Sequence, residues 1–281
     1  MTMNTSMISA SVTMGQLQRK MDTISHNLAN SNTTGFKRRE ATFSDLLFQQ
    51  VHTQPNAQNE VGRLTPNGIR VGSGAKIAET ALRLEQGPFI NTDRELDFAI
   101  TDKNHFFRIQ TMENGNPVER LSRDGTFYFS ENPGNPNQLT IVTSNGDFVL
   151  DQNGDRITLP LNFQSISLNE EGQLLVTLTD GTVENIGEFG LTRVLKPQLL
   201  DSIGDQLYRL PNFAALGLAA GDVLEAAAVN GRVSQGTLEG SNVDLGNEMN
   251  ELMMAQRHYQ FNSRAISMAD DMAGLVNGLR R

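Results

Sequence analysis

The stretch that decides the fold is residues 7–28, MISASVTMGQLQRKMDTISHNL. Its apolar side chains recur at alternating intervals of three and four residues. They are Met7, Ala10, Met14, Leu17, Met21, Ile24 and Leu28. This spacing is that of the a and d positions of a heptad, which form one continuous apolar seam along a helix. The sequence therefore predicts a long N-terminal helix, within residues 1–35, whose seam residues pack against other helices.

The surface of this helix outside the seam is polar but carries little charge. Its residues are mostly Ser, Thr, Gln and Asn, and Arg19, Lys20 and Asp22 are the only charged residues before Lys37. Such a surface suits close packing between subunits, because few charges have to be desolvated. The pattern favours an assembly interface, and ordinary core packing inside one domain remains the alternative.

A second long helix is predicted at the other end of the chain, over residues 244–281. Ser241 or Asp244 can cap it, and Glu248 and Glu251 favour the positive end of its dipole. Its apolar stripe is Phe261, Ala265, Met268, Met272, Leu275 and Leu279, flanked by Met249, Leu252, Met253, Tyr259, Ile266 and Val276. This arc is wider than a two-helix seam requires, so we expect these side chains to pack against more than one neighbouring helix.

Between the two ends the hydrophobic period changes to two. Short alternating runs such as residues 126–129, 139–142 and 174–178 are separated by X-Gly dipeptides. These dipeptides are at residues 124–125, 145–146, 153–154, 171–172 and 180–181. The pattern predicts strands joined by tight hairpin turns. The predicted fold class is therefore α+β, with terminal helices that pair as a coiled coil and a central all-β domain over residues 82–225.

Two segments are predicted to connect these parts. Residues 36–81 are predicted to be an extended connector, since residues 49–75 within it are rich in Gln, Asn, Pro and Gly and lack apolar periodicity. Connectors of this length are uncommon in compact domains, and many are functional or become ordered on binding. Residues 226–243 are predicted to be a return linker to the C-terminal helix.

The composition argues against several classes of function. The 281 residues include no Cys and no Trp, which excludes disulfides, a thiol nucleophile and Cys-based zinc sites. A formal charge of -9 opposes binding to nucleic acid, and the basic residues 37–39 are followed directly by Glu40. No apolar run approaches the roughly 18 residues of a membrane span, and no cleavable secretion signal is recognisable. We therefore expect neither a nucleic-acid partner nor membrane insertion.

No catalytic, cofactor-binding or metal site is predicted. Residues 151–155, DQNGD, begin like a calcium loop, but the glycine is at position four and not six. Asn162 occupies position twelve, where such a loop needs a bidentate Glu. The four histidines have no local Ser, Asp or Glu in the arrangement of a catalytic triad.

Motifs at both ends of the chain resemble those of the bacterial flagellar rod and hook proteins. The N-terminal signature, which closes the first helix in that family, consists of Asn27, Leu28, Ala29, Asn30, Thr34, Gly35, Phe36 and Lys37. Residues 38–47 (RREATFSDLL), 68–74 (GIRVGSG) and 202–208 (SIGDQLY) resemble the distal-rod branch of the family. Residues 236–244 (GTLEGSNVD) and 256–264 (QRHYQFNSR) are similar to its C-terminal signature.

This resemblance implies a structural protein and not an enzyme. It implies a subunit that polymerises helically through its terminal helices into the distal rod of the flagellar basal body, which transmits torque from motor to hook. The implied partners are further copies of the chain, other rod and hook proteins, and the flagellar export apparatus. The implied location is outside the cytoplasmic membrane. Residues 49–67 match the position of the stretch that distinguishes a straight rod from a curved hook in that family.

The sequence leaves four alternatives open. The chain could be a proximal rod protein of similar length or a hook-type subunit of the same family. It could also be a soluble binding module whose β domain holds a ligand, or an enzyme that cleaves cell-wall polysaccharide. No motif in the sequence favours either of the last two.

Overall fold

The computed structural model describes residues 2–45, 48–51, 69–72, 75–132, 134–211, 213 and 217–278. Within these residues a long helix lies at each end of the chain and a β-rich region lies between them, which confirms the predicted α+β class. The helices are α1 (Thr2–Ala29) and α2 (Leu245–Gly278). Neither of these described helices combines the length and the apolar character that crossing a membrane requires.

The strands occupy much of the chain between the two helices. In chain order they are β1 (Arg39–Asp45), β2 (Phe48–Val51), β3 (Ile69–Gly72), β4 (Ala75–Leu82), β5 (Phe89–Asn91), β6 (Phe98–Ile100), β7 (His105–Glu113), β8 (Asn116–Ser122), β9 (Phe127–Asn132), β10 (Asn135–Thr143), β11 (Phe148–Val149), β12 (Thr158–Pro160), β13 (Phe163–Leu168), β14 (Gln173–Leu178), β15 (Val183–Glu188), β16 (Leu191–Val194), β17 (Asp201–Gly204), β18 (Leu207–Arg209), β19 (Leu224–Ala227), β20 (Val233–Gln235) and β21 (Thr237–Glu239).

The chain divides into two compact units. The first consists of Met1–Leu28, Arg39–Ala81 and Leu245–Arg281, and the second of Ala29–Arg38 and Leu82–Asp244. In the first unit, β1 pairs with β4 and β2 pairs antiparallel with β3. The first unit therefore contains both ends of the chain.

The second unit is built around one large sheet. Its strand order is β12-β10-β11-β7-β8-β18-β17, with β9 added to β10, and with β16 joining β7 to β19. Strands β13, β14 and β15 form a separate antiparallel meander. Strand β6 pairs with β20, and β5 pairs with β21. These last two pairs attach the segment before α2 to the start of the β domain.

The core of this β domain is aromatic. Phe98, Phe107, Phe127 and Phe189 are fully buried, and their ring centroids lie 4.7–6.1 Å apart. Several of these pairs meet edge to face, the arrangement that the charge distribution of aromatic rings favours. These packed rings form the centre of the second unit.

The predicted hairpin turns form at most of the X-Gly dipeptides, but not at residues 124–125. Gly146, Gly172 and Gly181 have positive φ angles, and the turns of the latter two join β13 to β14 and β14 to β15. The strands on either side of residues 124–125, β8 and β9, pair with other strands. Position 125 requires glycine for a different reason. A Cβ atom there would lie 1.7 Å from the carbonyl oxygen of Phe98.

Two predicted connecting segments contain strands. In the segment 36–81, predicted to be an extended connector, the described residues form β1 to β4. Residues 52–68, which include most of the rod-type stretch 49–67, lie outside the described residues. The return linker predicted at 226–243 contains β20 and β21, so this segment belongs to the β structure. These strands have three residues each, too few for a period of two to be recognised.

Candidate functional site

The N-terminal seam lies on the covered face of α1. Leu17 and Ile24 are buried, and the remaining seam residues, Met7, Ala10, Met14, Met21 and Leu28, are half-buried. Helix α2 has a covered face of the same period. Its residues are Glu248, Leu252, Ala255, Tyr259, Asn262, Ile266, Ala269 and Ala273, and all of them are buried or half-buried. Both helices thus have a continuous seam with intervals of three and four residues.

Two contacts join α1 to α2. Asn27 Nδ2 donates to Glu248 Oε1 at 3.2 Å, and Lys20 Nζ lies 2.8 Å from Glu251 Oε2. The residue that is later in α1 therefore contacts the residue that is earlier in α2. This order is the one expected of antiparallel helices.

Asn27, the first residue of the family signature, joins three segments of the first unit. Its side-chain oxygen accepts from the backbone N–H of Arg39 at 3.0 Å, and its Nδ2 donates to the Arg39 carbonyl at 2.8 Å. The same Nδ2 donates to Glu248 on α2. The side-chain amide of Asn27 takes the place of a neighbouring strand at the start of β1. It can do so because the amide has both a donor and an acceptor, whereas the carboxylate of an Asp of the same size only accepts.

The predicted packing residues of the C-terminal helix separate into two faces. Leu252, Tyr259 and Ile266 lie in the α2 seam, whereas Met249, Met253, Phe261, Met268, Met272 and Leu275 are exposed. Leu279 lies outside the described residues. We define the outer stripe of α2 as Met254, Phe261, Met268, Met272 and Leu275, whose exposed fractions are 51–70%.

The rest of the N-terminal signature docks in the second unit. Thr34 Oγ1 donates to Asp124 Oδ1 at 3.0 Å, and the Gly35 amide donates to the carbonyl of Glu239 at 2.8 Å. Phe36 is buried, Ala29 is exposed and Asn30 is half-buried. The signature thus meets the C-terminal segment 236–244 at Glu239.

A buried ionic cluster lies at this meeting point. Glu239 Oε1 accepts from Lys37 Nζ at 2.6 Å, and its Oε2 accepts from Arg123 Nε at 2.6 Å. The three side chains are each exposed by 2% or less. We call Lys37, Arg123 and Glu239 the buried triad. One carboxylate therefore bridges two cations away from water.

Each side-chain nitrogen of Lys37 and Arg123 has a hydrogen-bond partner. Lys37 Nζ donates to the carbonyl of Glu85 at 2.8 Å, and the Arg123 guanidinium donates to the carbonyls of Ile100 and His105. Burial lowers the pKa of the Lys37 ammonium, and the charge of Glu239 opposes that change. A buried ion pair is stable only when such additional hydrogen bonds are present, so this cluster depends on every partner.

Backbone contacts surround the buried triad. The Arg38 amide donates to Asn242 Oδ1 at 2.7 Å, and the Asn242 side chain donates to the carbonyls of Arg83 and Glu85 at 2.8 and 3.0 Å. The Gly240 amide donates to the carbonyl of Pro88 at 2.8 Å. We call this region, residues 33–38, 83–88 and 239–242 with Arg123, the signature junction. It ties the segment after α1 to the segment before α2.

We expect Gly35→Ala to destabilise the second unit more than a glycine substitution in an open turn. Gly35 has a φ of 67°, and a Cβ there would lie 2.6 Å from the backbone nitrogen of Asp124. The left-handed conformation alone costs on the order of 1–2 kcal/mol, and the backbone clash adds about 1–3 kcal/mol. Gly146→Ala is the control, because Gly146 also has a positive φ but has no atom within 4 Å of the added Cβ. Urea unfolding followed by circular dichroism measures both, and equal losses would contradict the close approach.

The Asp124 carboxyl, which accepts from Thr34, predicts a pH effect. Burial raises its pKa, although hydrogen bonds from Thr126 and Thr34 oppose that shift. A carboxyl with a raised native pKa contributes stability that is present below its unfolded pKa and lost as the pH rises through the native pKa. Asn keeps the accepting oxygen without the charge. Asp124→Asn should therefore be more stable than the parent at pH 7, with a difference that shrinks as the pH falls. A variant that is less stable at pH 7 would contradict this.

The second unit also has a polar cleft of about 600 Å³. Its rim carries two ion pairs, Arg232 with Asp102 at 2.9 Å and Arg193 with Glu225 at 3.3 Å. Within the described residues, no group of three or more His, Asp or Glu side chains is placed to hold a metal ion.

Sequence reasoning missed two parts of these sites. The apolar pattern of α2 includes Leu252, Tyr259 and Ile266 of its seam, but it does not include the other seam residues, which are Glu248, Ala255, Asn262, Ala269 and Ala273. Arg123 lies far from both signatures in sequence, and no local pattern marks it. The two signatures together contain Lys37 and Glu239, a Lys–Glu combination that could have suggested an ion pair.

Family models match the chain in three regions. A model described as flagella basal body rod protein matches residues 7–37, and one described as flagellar hook protein FlgE/F/G D1 domain matches residues 100–176. A model described as flagellar basal body rod FlgEFG protein C-terminal matches residues 234–279. The first and third regions contain the two terminal signatures.

Known proteins are similar to this chain over almost its whole length. The flagellar hook-basal body complex protein FlhP of Bacillus subtilis is 40% identical over 277 residues, covering 98% of this chain and 99% of that protein. The flagellar basal-body rod protein FlgG of Borreliella burgdorferi is 34% identical over 267 residues, covering 94% of each chain. FlgG of Bacillus subtilis is 32% identical over 268 residues, covering 95% and 96%.

Proposed function

The chain belongs to the flagellar basal-body rod protein family, and from this premise we propose that it polymerises helically through its terminal helices to form the distal rod. The family is one of structural rod and hook proteins, so the chain is a structural subunit and not an enzyme. Its location is the basal body of the flagellum. The rod that it forms transmits torque from the motor to the hook.

The observation that carries this proposal is the similarity over nearly the full length to proteins named FlgG and FlhP. Both terminal helices and the β domain lie inside the matched length. The distal-rod assignment is supported by the FlgG relatives, because their lengths agree with this chain to within a few per cent. The hook and other rod proteins are the partners that we propose at its two ends.

We propose that the terminal helices of each copy pair as an antiparallel coiled coil. Both seams have intervals of three and four residues, and the contacts of Asn27 and Lys20 with α2 run in opposite directions along the two helices. In this arrangement the coiled coils build the inner part of the filament and the β domains an outer layer.

Burial of the outer stripe supplies the driving force for assembly. A monomer leaves these five large apolar side chains in water. Complete burial of one such side chain is worth about 1.5–3 kcal/mol, and burial of the whole stripe on a neighbour opposes the cost of association, about 4–15 kcal/mol. Identical copies that add head to tail without closing a ring form a helical filament.

Two further points of the proposal concern export and the rod-type stretch. We propose that each copy leaves the cytoplasm through the flagellar export apparatus. Residues 49–67 are the stretch that we propose to keep the filament straight. This stretch is rich in Gln, Asn and Pro.

A deletion strain tests the function. Cells that lack this chain should assemble basal bodies that stop before the hook, and supplying the chain should restore complete rods with hooks. Electron microscopy of purified basal bodies shows where each structure stops. Complete rods and hooks in the deletion strain would refute the proposed function.

A further inference from the structure

The exposed surface of α1 repeats with the same period as its buried seam. The exposed residues at intervals of three and four are Ile8, Ser11, Gly15, Gln18, Asp22, Ser25 and Ala29. We call this set the outer face of α1. Most of its members are small, and a Cβ added at Gly15 would meet nothing within 4 Å. The outer face of α1 is therefore a shallow surface with room for side chains from another helix.

The outer stripe of α2 has the opposite character. Its members are Met, Phe and Leu, and Phe261 and Leu275 are 65% and 70% exposed. Large side chains of one helix pack closely between small side chains of another, as knobs enter holes in a coiled coil. Methionine adapts to irregular gaps because its side chain is unbranched and flexible. The two surfaces therefore complement each other in shape.

The positions of the two surfaces prevent them from meeting within one chain. Each residue of the outer face of α1 follows a seam residue by one position, whereas Met254, Phe261, Met268 and Met272 each precede a seam residue of α2 by one position. One position is a rotation of about 100° around a helix. The two helices are viewed along the axis of α1. Because α2 runs in the opposite direction, moving one residue forward on α1 and moving one residue backward on α2 turn the side-chain direction in the same sense. In the proposed helix pair the seams face each other, so these equal rotations carry the two surfaces to opposite sides of the pair.

We propose, as an extension of the proposed function, that the outer stripe of α2 in one copy packs on the outer face of α1 in the next copy. Opposite placement lets copies stack side by side with the same contact repeated. The contact joins two different surfaces, so it leaves one free surface at each end of the row. A row of this kind grows into an open filament when the rotation between successive copies does not close a ring.

The charges beside the two surfaces support this pairing. Along α1 from its N-terminus, the exposed Arg19 precedes the exposed Asp22. Along α2 in the reverse direction, the exposed Asp271 precedes Arg264 and Arg257. An antiparallel approach therefore places Arg19 toward Asp271, and Asp22 toward the arginines. Copies that point in the same direction bring α1 and α2 together antiparallel, as they already are within one chain.

Cysteine cross-linking tests this pairing, because the chain has no cysteine of its own. Chains with Ser11→Cys, Gly15→Cys or Ser25→Cys are each co-assembled into filaments with Met268→Cys chains and mildly oxidised. We expect a disulfide-linked dimer of one α1 variant with the α2 variant in the register that brings the two sulfur atoms together. Ser263→Cys replaces Met268→Cys as the control, since Ser263 is exposed on another side of α2 and should give no dimer.

The outcomes separate this inference from the function on which it rests. Met268→Cys chains that cross-link to each other, or filaments with no α1–α2 dimer in any register, would overturn the pairing and leave the proposed function intact. Purified chains that never assemble would overturn both.

Gly15→Leu provides a second test that does not depend on register. Leu is a better helix former than Gly, and the monomer has room for it, so the thermal stability of the monomer should rise. The larger side chain fills the space that the outer stripe of the next copy needs, so assembly should be lost. Normal assembly of Gly15→Leu chains would overturn the pairing.

Discussion

Glu239→Gln should lower the free energy of unfolding of the β domain by about 3–5 kcal/mol, the usual cost of removing one partner from a buried ion pair. The substitution leaves Lys37 and Arg123 buried without a carboxylate. The amide of the new Gln also places its own two N–H groups where the donors of Lys37 and Arg123 need an acceptor. Urea unfolding of the full chain, followed by circular dichroism, gives this value.

Glu225→Gln is the matched control for that prediction. Glu225 pairs with Arg193 at 3.3 Å, and both side chains are more than half exposed. Exposed pairs of this kind are worth about 0.2–1 kcal/mol, so the control should be nearly neutral. Adding Lys37→Met to Glu239→Gln should cost less than the sum of the two single changes, because it removes one of the unpaired cations. Equal effects of Glu239→Gln and Glu225→Gln would show that the buried triad does not stabilise the domain.

Met272→Asp should prevent assembly while leaving the monomer unchanged. Met272 is 51% exposed in the monomer, so the new carboxylate remains in water there. In the assembled filament the same carboxylate would be buried without a partner, at a cost of about 3 kcal/mol or more. Since about 1.4 kcal/mol changes an equilibrium tenfold, the concentration needed for assembly should rise at least about 100-fold. Sedimentation of purified chains measures this concentration.

Ser263→Asp and Met21→Asp are the variants to compare with Met272→Asp. Ser263 is exposed on another side of α2, and Ser263→Asp should assemble as the parent does. Met21 lies half-buried in the α1 seam, so Met21→Asp should also weaken the helix pair of the monomer. Met272→Asp chains that form filaments at the parental concentration would show that the outer stripe is not an interface.

The helices could be predicted from the sequence because their apolar residues repeat over many turns. Which face of α2 is covered in the monomer could not be predicted from the sequence. Its covered face includes Ala255, Ala269 and Ala273, whose burial reflects the close approach that small side chains permit and not their hydrophobicity. The larger Met and Phe residues give the stronger apolar pattern, yet they remain exposed in the monomer.

The signature junction shows a second limit of sequence reasoning. The motifs that contain Lys37 and Glu239 are recognisable in the sequence, but their contact depends on the pairing of β21 with β5. Arg123 completes the buried triad from a third place in the chain, directly after β8. Long-range pairing of short strands has no local signal, so charge compensation inside the β domain becomes visible only in the folded structure.

Methionine oxidation tests the central claim, burial of the terminal helices on assembly, most directly. Met254, Met268 and Met272 of the outer stripe are about as exposed in the monomer as Met112 of the β domain, which is 57% exposed. Mild peroxide followed by mass spectrometry compares their oxidation rates in monomers and in assembled rods. We expect similar rates for all four in monomers, and in rods at least a tenfold slower oxidation of the three stripe residues relative to Met112. Equal rates in rods would contradict assembly through the outer stripe.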